Sequence, residues 1–214
     1  PDVLFVPAHQ LPLINAPRSV VTIHDLGFVH HPEAHTLAQR LYHRLFTPLS
    51  ARRATKIIAI SEATKHDLER IYRIPSDKIA VVYHGVDPRF KPLDRDVVAA
   101  MKARYGLITP YLLFVSTVQP RKNVVRLIEA FARGRTMLGD QPLTLALAGK
   151  QGWLTDQIMQ RADELDIGAA VRFLGYVPDH DLPALLNGAL AYVVPSLYEG
   201  FGMTVLEAQA CGTP

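Results

Sequence analysis

One cysteine in 214 residues, Cys211, excludes an intramolecular disulfide and fits a reduced, cytoplasmic compartment. No apolar run approaches the roughly 18 residues that a membrane-crossing helix needs. No low-complexity tract points to disorder. The nine histidines, His30, His31 and His35 among them, show no HExxH pattern or comparable ligand set, so no metal is expected. The charge surplus is only +3, which admits anionic partners such as nucleotide diphosphates or acidic lipid and gives no reason to expect nucleic acid. The chain opens at Pro1 with no initiator Met, basic leader or signal-type apolar segment. It stops at Gly212-Thr213-Pro214, where a loop into another strand is expected. Both ends are read as truncations. What is present, 49% apolar and 20% charged residues, is globular composition with ample material for a core.

Short apolar runs alternate with longer helical patterns. The strand candidates are 3–6, 19–23, 56–60, 79–83, 111–115, 143–148, 171–174 and 190–194. They are apolar on both faces and rich in β-branched residues, as parallel strands under helices should be. Helices are predicted at 36–54, 61–73, 94–105, 122–138, 154–166, 179–187 and 203–211, with Ser61 and Thr64 as capping residues for the second. The alternation implies right-handed βαβ crossovers and doubly wound α/β sheets. It breaks once, at 84–95 (HGVDPRFKPLDR), which holds two prolines, a glycine and several charges. This predicts two Rossmann-like domains, 1–90 and 109–214, joined through 91–108. Open α/β sheets bind ligands at the carboxyl ends of their strands, so two facing units would form a cleft.

The strongest chemical signal is Tyr198-Glu199-Gly200-Phe201-Gly202-Met203-Thr204-Val205-Leu206-Glu207. Two glycines after a strand let the backbone turn and approach a ligand. The helix that follows offers free N–H groups to a phosphate or a polarised hydroxyl. Glu199 can reach a ligand from the strand end, and Glu207 from one helical turn inside. A carboxylate accepts two hydrogen bonds, which suits paired sugar or ribose hydroxyls. From spacing alone, a glycine-rich turn flanked by two solvated glutamates accounts for the pattern equally well.

EGFGMTVLEAQACGTP resembles the signature of glycosyltransferase family 4, a retaining group with the GT-B fold. VVTIHDLGF, IIAISEATKHDL, VYHGVDPRFKP, LLFVSTVQPRKNVVRLIEAF, LALAGKQGW and VRFLGYVPDHDLPALLNGA resemble further family segments in the expected order, over essentially the whole chain. The resemblance implies a hexosyl transfer from a nucleotide diphosphate sugar to a hydroxyl acceptor, with retained configuration. It implies that Glu199 faces the transferred sugar, that Glu207 binds the ribose, and that Gly200, Phe201, Gly202 and Met203 hold sugar and phosphates. Lys122 and Arg121 would neutralise the diphosphate leaving group. A fixed cation there favours the transition state on general grounds, and cations at a helix N-terminus oppose the macrodipole unless an anion joins them. Thr117 stands where many members carry an Arg at the diphosphate. His24 would contact the donor sugar, although a strand-end His taken alone is more often structural.

The donor is of GDP-mannose or UDP-glucose type, with GDP-mannose favoured by the likeness of TIHDL and PRKN to bacterial mannosyltransferase-like members. No metal is implied. The acceptor is a glycan or a lipid-linked sugar. A non-catalytic sugar-nucleotide-binding protein and a GT-B epimerase or phosphorylase are the rival readings; the glutamate pair, His-Asp and PRKN argue against them, and no lysine motif for a pyridoxal cofactor is evident. The segment 36–56 carries Arg40, Arg44, Arg52, Arg53 and Lys56 beside Leu37, Leu41, Leu45 and Leu49. A core-facing leucine stripe with a solvated basic face is the plainer account. Peripheral contact with an anionic membrane, at the inner face, is the alternative.

Overall fold

The computed structural model describes residues 2–12, 14, 18–139, 141–150 and 155–214. Leu154 of the predicted sixth helix and Gln151-Gly152-Trp153 of LALAGKQGW lie outside them. The chain divides into two compact units, Pro1–Gly85 with Tyr198–Gly202, and Val86–Leu197 with Met203–Pro214.

In the first unit, strands β1 (Leu4–Val6), β2 (Ser19–Ile23), β3 (Lys56–Ala59) and β4 (Ile79–Val81) form a parallel sheet in sequence order. Val21, Ile23, Ile57 and Ala59 are fully buried in its core, as two-sided apolar strands require. A one-turn helix, α1 (Gly27–His30), follows β2; four residues are too few for a periodic signal. Helix α2 (Leu37–Arg53) starts in a capping box in which Gln39 N–H donates to Thr36 Oγ1 and Thr36 N–H donates to Gln39 Oε1. Helix α3 (Glu62–Tyr72) is capped by Ser61, whose Oγ accepts from the Thr64 amide at 3.1 Å.

The core-facing leucine stripe is not found. Leu37, Leu41, Leu45 and Leu49 are 78%, 60%, 57% and 40% exposed. The inner face of α2 carries Thr47, Ser50 and Ala51 instead. Leucines four apart advance by only about 40° per step, so once the first faces outward, the rest do too.

In the second unit, β5 (Tyr111–Val115), β6 (Thr144–Ala148), β7 (Val171–Gly175) and β8 (Ala191–Tyr192) form a parallel sheet in the order β7-β6-β5-β8. The strand order reverses at β5, which makes its carboxyl end a switch point. Period-2 alternation sorts the side chains. Tyr111, Leu113 and Ala146 enter one core with α7 (Leu182–Gly188), and Met101 joins them from α4 (Arg95–Arg104). Phe114, Leu145 and Leu147 enter a second core with α5 (Val124–Leu138) and α6 (Thr155–Glu164). The last helix, α8 (Met203–Ala210), adds Ala208 to the first core, next to buried Cys211.

Some element ends differ from expectation. Helix α5 begins at Val124, not 122, because Pro120–Lys122 form a 3-10 turn and Asn123 is left-handed at φ 56°. Helix α7 begins at Leu182, not 179, with Pro183 in its first turn. β8 is cut to two residues, with Pro195 unable to donate to a ladder.

Candidate functional site

In the first unit, the segment Tyr198–Gly202 lies at the carboxyl ends of β2 and β4. Gly200 is pressed onto the residues after β2: a Cβ there would lie 2.6 Å from the His24 carbonyl oxygen and 2.8 Å from Asp25 Cβ. Only glycine fits. Phe201 stacks on Tyr83 with ring centroids 6.0 Å apart and meets the His84 ring edge-on at 5.3 Å. His84 in turn stacks on His24 at 5.8 Å. On the other side, the Tyr198 hydroxyl reaches Leu26 and Asp67. Glu199, half-buried, is therefore bracketed by two fixed neighbours.

His24 is oriented by its Nε2–H, which donates to the Pro7 carbonyl at 3.0 Å. In the neutral ring this leaves Nδ1 as the acceptor. Thr64 Oγ1 donates to the His24 carbonyl at 3.0 Å and ties the start of α3 to the end of β2. His9 lies 5.4 Å from His24, ring to ring. Burial pushes its imidazole down to about 4, with Asp25 opposing and His24 and His43 adding to the fall, so His9 is neutral near pH 7. Asp25 Oδ1 accepts from the amide of Gly27, the first residue of α1, at 2.7 Å.

In the second unit, a cavity of about 320 Å³ opens at the carboxyl ends of β5, β6 and β7, lined by Ser116, Thr117, Gly149, Lys150, Tyr176 and Asp179 among others. Lys150 Nζ lies 5.9 Å from the Tyr176 ring centroid. Burial raises the Glu207 carboxyl above the usual carboxylate range; Arg89 opposes the rise, and Asp179 and Asp87 add to it. Arg89 is 4.0 Å from Asp179 and 3.6 Å from Asp87. Thr117 and Asp179 share the cavity wall, and the Asp179 charge is one of those felt at Glu207. The first turn of α8, which carries Met203, is held by Tyr192, whose Oη donates to Thr204 Oγ1 at 2.6 Å.

Arg121 and Lys122 form the 3-10 turn after β5, half-buried. This turn is tied to the loop after β8: Leu197 N–H donates to the Arg121 carbonyl at 2.9 Å, and Asn123 Nδ2 donates to the Pro195 carbonyl at 3.1 Å. Two cations are thus held just before the N-terminus of α5. A larger cavity, about 490 Å³, lies between the end of α5 and residues 165–167. A helix that follows a parallel strand ends near the strands' amino ends, so this cavity is away from the edge where α/β sheets bind ligands.

Of the predicted residues, His24, Glu199, Gly200, Phe201 and Gly202 fall in the first unit. Thr117, Arg121, Lys122, Met203 and Glu207 fall in the second. Sequence reasoning missed Tyr198, Asp67 and His30 as a group, and Asn123, Lys150 and Asp179. Only the left-handed preference of Asn was a usable signal among them. Among the described residues, no group of three His, Cys, Asp or Glu side chains could hold a metal ion. Also among them, no helix is long and apolar enough to cross a membrane.

The profile of the family Glycosyl transferases group 1 matches residues 106–214, and that of Glycosyltransferase Family 4 matches residues 1–90. The O-antigen chain mannosyltransferase B of Escherichia coli is 32% identical over 198 residues, which cover 92% of this chain and 52% of that protein. WaaG, a glycosyltransferase involved in lipopolysaccharide biosynthesis, superposes with a TM-score of 0.77 at 20% identity, over 100% of this chain and 58% of its own. Anabaena Alr3699/HepE, in complex with UDP and glucose, superposes at 0.76 and 24% identity, over 92% and 52% of the two chains. The chain spans about half the length of the curated relatives it matches.

Proposed function

The chain belongs to the glycosyl transferases group 1 and carries about half of the GT-B fold of its structural neighbours, and from this premise we propose that the parent protein transfers a mannosyl unit from GDP-mannose to a hydroxyl of a glycan or lipid-linked acceptor, with retained anomeric configuration. The first unit takes the acceptor side and the second the nucleotide-sugar donor. The observation that carries the donor reading is the cavity beyond β5, β6 and β7, with Lys150, Tyr176 and Asp179 on its wall.

Each part has a chemical task. A base stacks on Tyr176. The guanine edge offers N–H donors to the Asp179 carboxylate and acceptors to Lys150, whereas uracil offers a single N–H between two carbonyls. The mannosyltransferase named among the relatives points the same way. Glu207 accepts both ribose hydroxyls, and its burial makes those bonds strong. Lys122 and Arg121 neutralise the departing diphosphate. Glu199 accepts from hydroxyls of the transferred sugar, close to where positive charge develops. Calorimetric titration of the intact parent tests the donor site. GDP is expected to bind more tightly than UDP, and Glu207→Ala to weaken GDP at least tenfold, about 1.4 kcal/mol. A folded protein that binds neither nucleotide ends the reading.

The outward leucines support membrane contact. Residues 37–53 contain Arg40, Arg44, Arg52 and Arg53 and no acidic residue. Exposed leucines flanked by arginines match an anionic lipid surface, each basic group adding about 1 kcal/mol near it. The intact protein is expected to float with vesicles rich in anionic phospholipid at low salt. The double variant Leu41→Gln/Leu45→Gln should lose roughly tenfold or more of that partitioning, because each buried leucine contributes up to about 1.5–3 kcal/mol. Equal flotation of both proteins would remove the lipid contact.

A further inference from the structure

Tyr198 sits immediately before Glu199, and its contacts converge from three elements of the first unit. Its hydroxyl accepts from the Leu26 amide at 3.2 Å, after β2, and donates to Asp67 Oδ2 at 3.1 Å, on α3. His30, at the end of α1, donates from Nε2 to the same Asp67 oxygen at 2.7 Å and stacks its ring on Tyr198, with centroids 4.7 Å apart. Leu26 and Asp67 are buried. Leaving either polar group without this hydroxyl would cost more than the bond itself gives. Burial holds the Tyr198 phenol well above its ordinary range, with the Leu26 amide opposing, so the hydroxyl keeps the proton that it donates to Asp67.

We propose that Tyr198 is a positioning residue: the Tyr198–Asp67–His30 cluster clamps the segment 198–202 onto the end of β2, so that Glu199 is presented from a fixed backbone. The second anchor is Gly200 on the His24 carbonyl, two residues away. With both neighbours fixed, the Glu199 backbone has little freedom left. A carboxylate that must meet developing charge gains from this, since an error of about 1 Å costs roughly 100-fold in rate. The inference rests on the reading of Glu199 given above. A cluster that only holds the fold together would make the same contacts, so the test needs a readout beyond stability.

Tyr198→Phe keeps the ring on His30 and removes only the hydroxyl. In the intact parent protein, hydrogen exchange at the Leu26 amide and across 199–202 is expected to rise at least about tenfold, with the central strands unchanged. kcat is expected to fall about 10- to 100-fold, with nucleotide Kd within about twofold of wild type. Asp67→Asn should give the same pattern, and the double variant should lose little more than either single one, as members of one unit do. Unchanged exchange in Tyr198→Phe overturns the clamp. Faster exchange with wild-type kcat overturns the positioning role and leaves a structural cluster. A parent protein that turns over no nucleotide sugar removes the reading of Glu199 and the positioning role with it, while exchange alone still decides whether the clamp exists.

Discussion

Glu199→Gln is expected to lower kcat by about 100- to 1000-fold, the cost of removing one preorganised charge from a reacting centre. Glutamine keeps the shape of the side chain and one acceptor oxygen, so the loop on the end of β2 should survive. What goes is the negative charge. In the proposed reaction the anomeric carbon gains positive character as the diphosphate leaves, and a carboxylate among the sugar hydroxyls favours that state over the ground state. Nucleotide affinity should stay within about twofold of wild type, because Glu207, Lys122 and the cavity wall belong to the other unit. Steady-state kinetics together with calorimetry check both halves. A kcat within about threefold of wild type would falsify the role. NMR of the wild-type product reads the stereochemistry in the same preparation, and an inverted anomer would end the assignment to a retaining mechanism.

The strands were legible because parallel strands buried on both faces must be largely apolar, and VVTI, IIA, YLLFV and TLALA hold nothing more polar than a threonine or a tyrosine. The capping role of Ser61 was legible because a cap is a local bond, here from Thr64 three residues on. The face of α2 was not. A four-residue leucine period says that one side is apolar but not whether that side faces in, and the small residues Thr47, Ser50 and Ala51 decided it. The Tyr198 cluster was still less legible. Its partners lie 131 and 172 residues away in sequence, and no local pattern marks a tyrosine hydroxyl as an anchor. Nor does any local pattern show that five residues between β8 and α8 join the first unit while both flanks stay in the second. Glu199 could be named from the sequence by its likeness to a signature. What holds it could be read only from contacts.

Gly149→Ala is expected to be the most damaging single-methyl change in the second unit. Gly149 follows β6 directly at φ +141°, a conformation that L side chains rarely adopt. A Cβ there would lie 2.0 Å from the Ser116 carbonyl oxygen and 2.6 Å from its carbon. Those are backbone atoms, and they cannot swing aside. The Ser116 amide donates to Ala148 at 2.9 Å, and the Gly149 amide donates to Gly175 at 2.8 Å, so any shift disturbs the ends of β5, β6 and β7 together. Backbone strain of about 1–3 kcal/mol and overpacking of similar size point to a total of roughly 2–6 kcal/mol. At about 2–4 °C per kcal/mol, the scale for a chain of 150–250 residues, this lowers Tm by roughly 4–24 °C. Because Ser116, Thr117 and Gly149 line the proposed donor cavity, GDP binding should fall even at temperatures where the variant stays folded. Gly134→Ala is the matched control. It lies inside α5 with nothing within 4 Å of its Cβ position, and it should gain about 0.5–1 kcal/mol from helix propensity. If the two variants melted together and bound GDP alike, the close approach of β5 and β6 at this glycine would be wrong, and with it the shape of the cavity on which the donor reading depends.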